Sequence, residues 1–166
     1  MLKQRLQDDL KVALRAGDRQ RVEVIRMALA ALQQVVQAER KARYDAAVAA
    51  GGAAAVGEIE LSDAMVQDTL TREVKRRRES AELFRAGGRV DLATQEEAEI
   101  VVLEAYLPRQ LTADELRPLV AAVIAELGAA GPGDTGRVMP RLMQQFKGQA
   151  EGRLINQVAR ELLNRQ

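Results

Sequence analysis

Residues 134–163 read DTGRVMPRLMQQFKGQAEGRLINQVARELL, and this stretch decides the fold. Met139, Leu142, Met143 and Phe146 recur at three- and four-residue spacing, which places them on one face of a helix. Gly148 follows at once, where a helix end favours a left-handed residue. Beyond Gly152, a second apolar stripe runs through Leu154, Ile155, Val158, Leu162 and Leu163. The spacing therefore predicts two short amphipathic helices meeting at a glycine corner, with Lys147 and Arg153 on either side of it.

The same alternation of stripe and break continues toward the N-terminus. In Leu111–Leu116, LTADEL, Thr112 and Glu115 form a capping box and Leu111 with Leu116 the staple around it. The helix opened there runs through Leu119, Val120, Val123 and Leu127 to Gly128, and GAAGPG over 128–133 reads as a loop. Pro118 and Pro140 are expected within the first two turns of their helices, because a deeper proline costs about 3 kcal/mol. Upstream, a stripe through Leu2, Leu6, Leu10, Ala13 and Leu14 stops at Gly17, and Asp18 offers the next N-cap. So short a break lays the first two helices antiparallel. The second uses Val22, Ile25, Leu29, Leu32 and Val36 and is expected to reach about Tyr44. The following DAAVAAGGAAAVGEIE, residues 45–60, reads as a mobile linker with little to bury, its start open to a frayed extension of the second helix. Leu61 and Ser62 start a third helix that ends at Gly87-Gly88, and Asp91 is expected to cap a fourth, which Pro108 terminates. The whole predicts an all-α protein of seven helices. A four-helix bundle-like domain spans residues 1–108, a smaller three-helix domain 112–166, and Arg109-Gln110-Leu111 joins them.

Composition restricts the chemistry. Of 166 residues, 47% are apolar and 30% charged, the balance of a globular chain with a core. Tyr44, Phe84, Tyr106 and Phe146 are the only aromatics, and Ala, Leu, Gln, Glu and Arg dominate, which favours helix over strand. Histidine and cysteine are absent, so disulfides, thiolate nucleophiles, imidazole bases and thiolate or imidazole metal sites are excluded. The two serines are Ser62, in a cap position, and Ser80, and no phosphate-cradling glycine loop is present. These absences speak against an enzyme, and the sequence predicts no cofactor, no metal and no small-molecule substrate. No apolar run approaches membrane-spanning length and no signal peptide is recognisable, so no membrane partner is expected and the cytoplasm is the expected location.

Two charge clusters are candidates for function. In the third helix Lys75-Arg76-Arg77-Arg78 is the densest basic run; at 100° per residue Lys75 and Arg78 point away from the stripe and Arg77 into it. Arg26 falls beside its own helix's apolar face. Arg26 and Arg77 read either as half-buried ion pairs with Glu73 or Glu99, or as lining for an acidic ligand; Lys75, Arg76 and Arg78 read either as a solvated face or as phosphate contacts. From Asp134 onward, six basic residues (Arg137, Arg141, Lys147, Arg153, Arg160, Arg165) face three acidic ones, in a chain whose net charge is +1. Lys147 and Arg153 bracket a turn in which Gly148 and Gly152 permit close backbone approach, and Asn156 follows one turn after Arg153. Such a corner is expected to expose backbone N–H groups and a helix start, both suited to phosphate oxygens. The sequence-derived candidates for anion contact are thus Arg137, Arg141, Lys147, Gly148, Arg153 and Asn156, with Lys75 and Arg78 in the first domain.

The order and spacing of several short motifs resemble the YqeY family across nearly the whole chain outside the 45–60 segment. In the first half they are Val24-Ile25-Arg26-Met27, Arg72-Glu73, Gly88-Arg89 with Asp91-Leu92, and Tyr106-Leu107-Pro108. In the second they are Gly136-Arg137-Val138-Met139, Lys147-Gly148, Ala150, Gly152, Leu154 and Asn156. The same second half is similar to the tail domain of the B subunit of tRNA-dependent amidotransferases, a module also fused to some glutaminyl-tRNA synthetases. Glu151 and Pro140 depart from the family pattern, at the turn and in the helix before it. The resemblance implies a helical accessory module of translation that helps hold tRNA while catalysis occurs elsewhere. It also implies that a carbon–nitrogen ligase label, with glutamine as nitrogen donor, attaches by association, since no ATP or glutamine site is legible. Two other expectations compete with tRNA binding. One is an adaptor that docks on an amidotransferase or aminoacyl-tRNA synthetase without touching RNA; the other is a subunit contributing residues to a shared active site.

Overall fold

A computed structural model describes residues 1–52 and 57–164. Among them are seven α-helices, one 3₁₀ turn and no strand. The chain divides into two compact units, Met1–Leu107 and Pro108–Gln166.

The first unit contains α1 (Leu2–Ala16), α2 (Arg19–Ala49), α3 (Asp63–Ala86) and α4 (Val90–Glu104). Gly17 ends α1 at φ 69°, and the Asp18 carboxylate accepts from the N–H of Arg21 at 3.0 Å, so the hairpin between α1 and α2 is encoded by two adjacent residues. Leu6, Ile25, Leu32, Val66, Leu70 and Leu103 interlock as the core, with Leu61 packed against its edge next to the Ser62 cap. Leu14 does not join them: it lies about 80° round the helix from Leu6 and is half exposed. Asp91 does not cap α4 either. Arg89 occupies that position, and Asp91 is the second residue of the helix, its carboxylate held by the Arg89 guanidinium at 3.1 and 3.2 Å.

The 45–60 segment opens as an extension of the second helix, the start its reading as a linker allowed for. Helix α2 continues through Ala49, carried by alanines and by Glu39–Arg43 and Lys41–Asp45 pairs at one-turn spacing, although no residue from 37 to 49 is buried. At its other end Ile59 is 5% exposed and so returns the chain to apolar packing, which a lone isoleucine among glycine and glutamates did not advertise. Residues 53–56 lie outside the described set.

The second unit contains α5 (Ala113–Glu126), a 3₁₀ turn (Pro132–Asp134) where a plain loop was expected, α6 (Thr135–Gln145) and α7 (Gly152–Leu163). The capping box forms as read: Glu115 N–H donates to the Thr112 hydroxyl at 3.3 Å while the Glu115 carboxylate accepts from Thr112 N–H at 2.9 Å. Pro118 and Pro140 are each the sixth residue of their helix, so each removes a single interior hydrogen bond. Leu116, Val120, Ile124, Val138, Leu142, Phe146, Ile155, Val158 and Leu163 pack as a separate core. Met143 is 44% exposed rather than buried, because Val138 and not Met143 completes the stripe with Leu142 and Phe146.

Candidate nucleic-acid interface

Helix α6 closes when Phe146 turns its side chain into the core and Gly148 adopts φ 75°, a conformation that L side chains rarely take. The turn is then held from the inter-helix segment: Gln110 donates its side-chain amide to the Gly148 carbonyl at 3.0 Å, and Leu111 N–H donates to the Gln149 carbonyl at 2.7 Å. Gln149 and Ala150 both send their N–H groups back to the Phe146 carbonyl, at 3.0 and 3.2 Å. That corrects the expectation of a turn with freely exposed amides, since two of them close the turn on itself. What remains at the corner is the start of α7. Glu151 occupies the N-cap position without a side-chain cap bond, and the first intrahelical bond is Ile155 N–H to the Glu151 carbonyl. Gly152, first residue of α7, has a specific steric role: a Cβ there would meet the terminal methyl of Met143 at 3.0 Å.

The candidate residues of this unit fall in different environments. Lys147 and Arg153 are exposed on either side of the turn, and Arg141 is exposed on α6. Arg137 is exposed but tied to Asp134 at 2.9 Å, and the Asp134 carboxylate also accepts from Ala130 N–H. Those bonds, the Ala130 amide first and then Arg137, hold the Asp134 carboxyl below the usual aspartate range. Asn156 is half-buried. Arg160, counted among the basic residues but not singled out, is exposed on the same face of α7 as Arg153, and the helical wheel was the signal that could have found it. Arg165 lies outside the described residues.

In the first unit Arg77 is 5% exposed. Its Nε donates to Glu99 at 3.1 Å and its terminal nitrogen to Glu73 at 2.9 Å, with the Met27 sulfur beside the other nitrogen at 3.7 Å. Burial works against the charged guanidinium, yet the bonds to Glu73 and Glu99 outweigh it and leave its pKa raised. With both carboxylates engaged, Arg77 is not a lining residue for an acidic ligand. Arg26 takes no part, which corrects its reading as a half-buried ion pair. It is one residue and 100° beyond Ile25, on the outward side of α2, and it is exposed. Arg78, expected to point away from the bundle, is half-buried and bridges to Glu104 of α4 at 2.5 Å. Lys75 is exposed with Glu79 at 3.8 Å, and Arg76 pairs with Glu73 at 3.2 Å. Glu96 is half-buried; burial first, then the neighbouring Glu99 charge, pushes its carboxyl up. At the exit of α4, the buried Tyr106 hydroxyl donates to Asp9 at 2.7 Å while the Arg5 guanidinium lies 5.1 Å from the ring centroid. Among the described residues no group of three or more acidic side chains could hold a metal ion, and no described helix is long and apolar enough to cross a membrane.

The structure thus defines an all-helical chain of two compact units, the second with basic side chains exposed on α6, on α7 and at the turn between them. The family model described as Yqey-like protein matches residues 3–163, and the chain belongs to the YqeY family. No curated protein matches the chain.

Proposed function

We propose that this protein is a non-catalytic, cytoplasmic tRNA-binding module whose second unit resembles the tail domain of the amidotransferase B subunit. The two compact units are its domains. The observation that carries the reading is the α6–α7 corner: Lys147 and Arg153 stand exposed on either side of the start of α7, within a segment holding six basic and three acidic residues. Helix starts and cations favour phosphate oxygens, and scarce aromatics disfavour single-strand recognition by base stacking. Reading a folded RNA by shape and backbone fits what is left. Catalysis would belong to a partner, an amidotransferase or an aminoacyl-tRNA synthetase, and any ligase activity would be the partner's.

The test is tRNA binding by the double variant Lys147→Ala, Arg153→Ala. Weaker binding with a flatter dependence on salt, by roughly one unit of slope for each phosphate no longer neutralised, supports the reading. Unchanged tRNA affinity for the double variant removes the corner from the interface. Capture of an amidotransferase or synthetase by a protein that binds no tRNA would favour the adaptor instead.

A further inference from the structure

Helix α7 has two faces of opposite character. Ile155, Val158, Ala159 and Leu163 are buried against the rest of the second unit. Taking Arg153 as reference, Gln157, Arg160 and Asn164 fall within a sector of roughly 60° on the opposite side, over about 16 Å of helix. All four are exposed. The one acidic residue within α7, Glu161, is turned aside: it is half-buried, its carboxylate accepts from Arg117 of α5 at 3.0 Å, and Gln157 donates to it at 3.0 Å. The outward stripe therefore presents two guanidinium and two carboxamide groups and no apolar side chain, with the Glu161 carboxylate at its edge engaged by Gln157 and Arg117. Packing of the inner face fixes its direction.

From this we infer that the outward stripe of α7, Arg153–Gln157–Arg160–Asn164, is a second binding surface that follows the sugar–phosphate backbone of a folded RNA. The inference rests on the RNA reading above and extends it from the corner along the whole helix. Arg153 and Arg160, about 10 Å apart along the axis, contact separate phosphates, and Gln157 and Asn164 hydrogen-bond phosphate or ribose hydroxyl oxygens between and beyond them. Guanidinium forks suit phosphate geometry, and carboxamides add neutral donors and acceptors that distinguish ribose from a bare anion. An anionic membrane is the poorer match, because a surface-binding helix needs apolar side chains to insert and this stripe has none.

The experiment is equilibrium binding of the full chain to bulk tRNA across a salt series, with four single variants. Arg160→Ala weakens binding about tenfold at low salt and lowers the slope of log K against log salt by roughly 0.7–0.9. Arg160→Lys restores most of the slope, and Gln157→Ala lowers affinity with the slope unchanged. Arg26→Ala, which removes an exposed cation of the first unit, leaves both unchanged. Melting curves of the variants match the parent, and if Arg160→Ala melts lower, Arg160→Gln replaces it. A parent that binds tRNA while Arg160→Ala matches it in affinity and slope overturns the α7 surface and leaves the RNA reading standing. Equal effects of Arg26→Ala and Arg160→Ala also overturn it, because the response is then to net charge. A parent that binds no tRNA, or binds only anionic phospholipid vesicles, overturns both.

Discussion

At the scale of single residues the sharpest consequence concerns Arg77, a cation held between two carboxylates in a nearly dry position. Removing one partner of such a cluster leaves uncompensated charge in low dielectric, so Arg77→Ala is expected to destabilise the chain by about 3–5 kcal/mol, read from urea midpoints. Replacing Arg77, Glu73 and Glu99 together by apolar residues of similar volume should recover most of that loss. A cluster whose single deletion costs under about 1 kcal/mol would contradict the account. Glu96 carries the pH signature of the same region. Its carboxyl is pushed up in the folded state by burial and by Glu99. Its contribution to stability is thus fully present below the ordinary glutamate pKa and is lost as pH rises through the raised one. Glu96→Gln should be more stable than the parent at neutral pH and indistinguishable from it well below the ordinary glutamate value. Arg77's inward direction was legible from its 100° offset within KRRR; Glu73 or Glu99 were the partners expected of it, and it pairs with both. The exposure of Arg26 was missed because a residue next to an apolar stripe can fall on either rim. Only the packing of neighbouring helices decides which rim is covered.

Among elements, α2 gives the clearest contrast. Its first half supplies Val24, Ile25, Ala28 and Leu32 to the core, and its last thirteen residues bury nothing. Helix without packing is marginal in water, and one-turn ion pairs add little. Amide hydrogen exchange is therefore expected to be fast over residues 37–49 and slow over 22–36, with a boundary near Val36. Uniform protection along α2 would show that something covers the distal half. Helix starts were the most legible features, because Asp18, Ser62 and the Thr112–Glu115 box each use a side chain that accepts a backbone N–H. Starts without such chemistry were less so: α4 begins one residue ahead of Asp91 because Arg89 fills the cap position with no side-chain bond at all. The extension to Ala49 reflects alanine propensity prevailing until Gly51, where φ becomes 74°. The α6–α7 corner was legible in its glycines and its cations. The inward turn of the Gln149 and Ala150 amides was not, because it depends on where the Phe146 carbonyl points.

For the whole molecule, charge separates the two units. Met1–Leu107 contains seventeen Lys and Arg against eighteen Asp and Glu, and Pro108–Gln166 eight against six. Most of the first unit's cations are spent on neighbouring carboxylates, as Arg77, Arg78, Arg85 and Arg89 illustrate. Arg109, Arg117 and Arg137 of the second unit are paired in the same way, and the exposed cations of that unit include Arg141 on α6, Lys147 at the corner, and Arg153 and Arg160 on α7. A local basic surface on a nearly neutral chain predicts modest affinity, steep salt dependence and preference for a shaped anion over a uniform one. A basic surface of this kind supports the RNA-binding part of the proposal. The most direct measurement is equilibrium binding of the purified chain to bulk tRNA from low to physiological salt, with duplex DNA of similar length as the comparison. Preferential tRNA binding that survives at physiological salt is the predicted result. Equally weak binding of tRNA and DNA there would contradict the account.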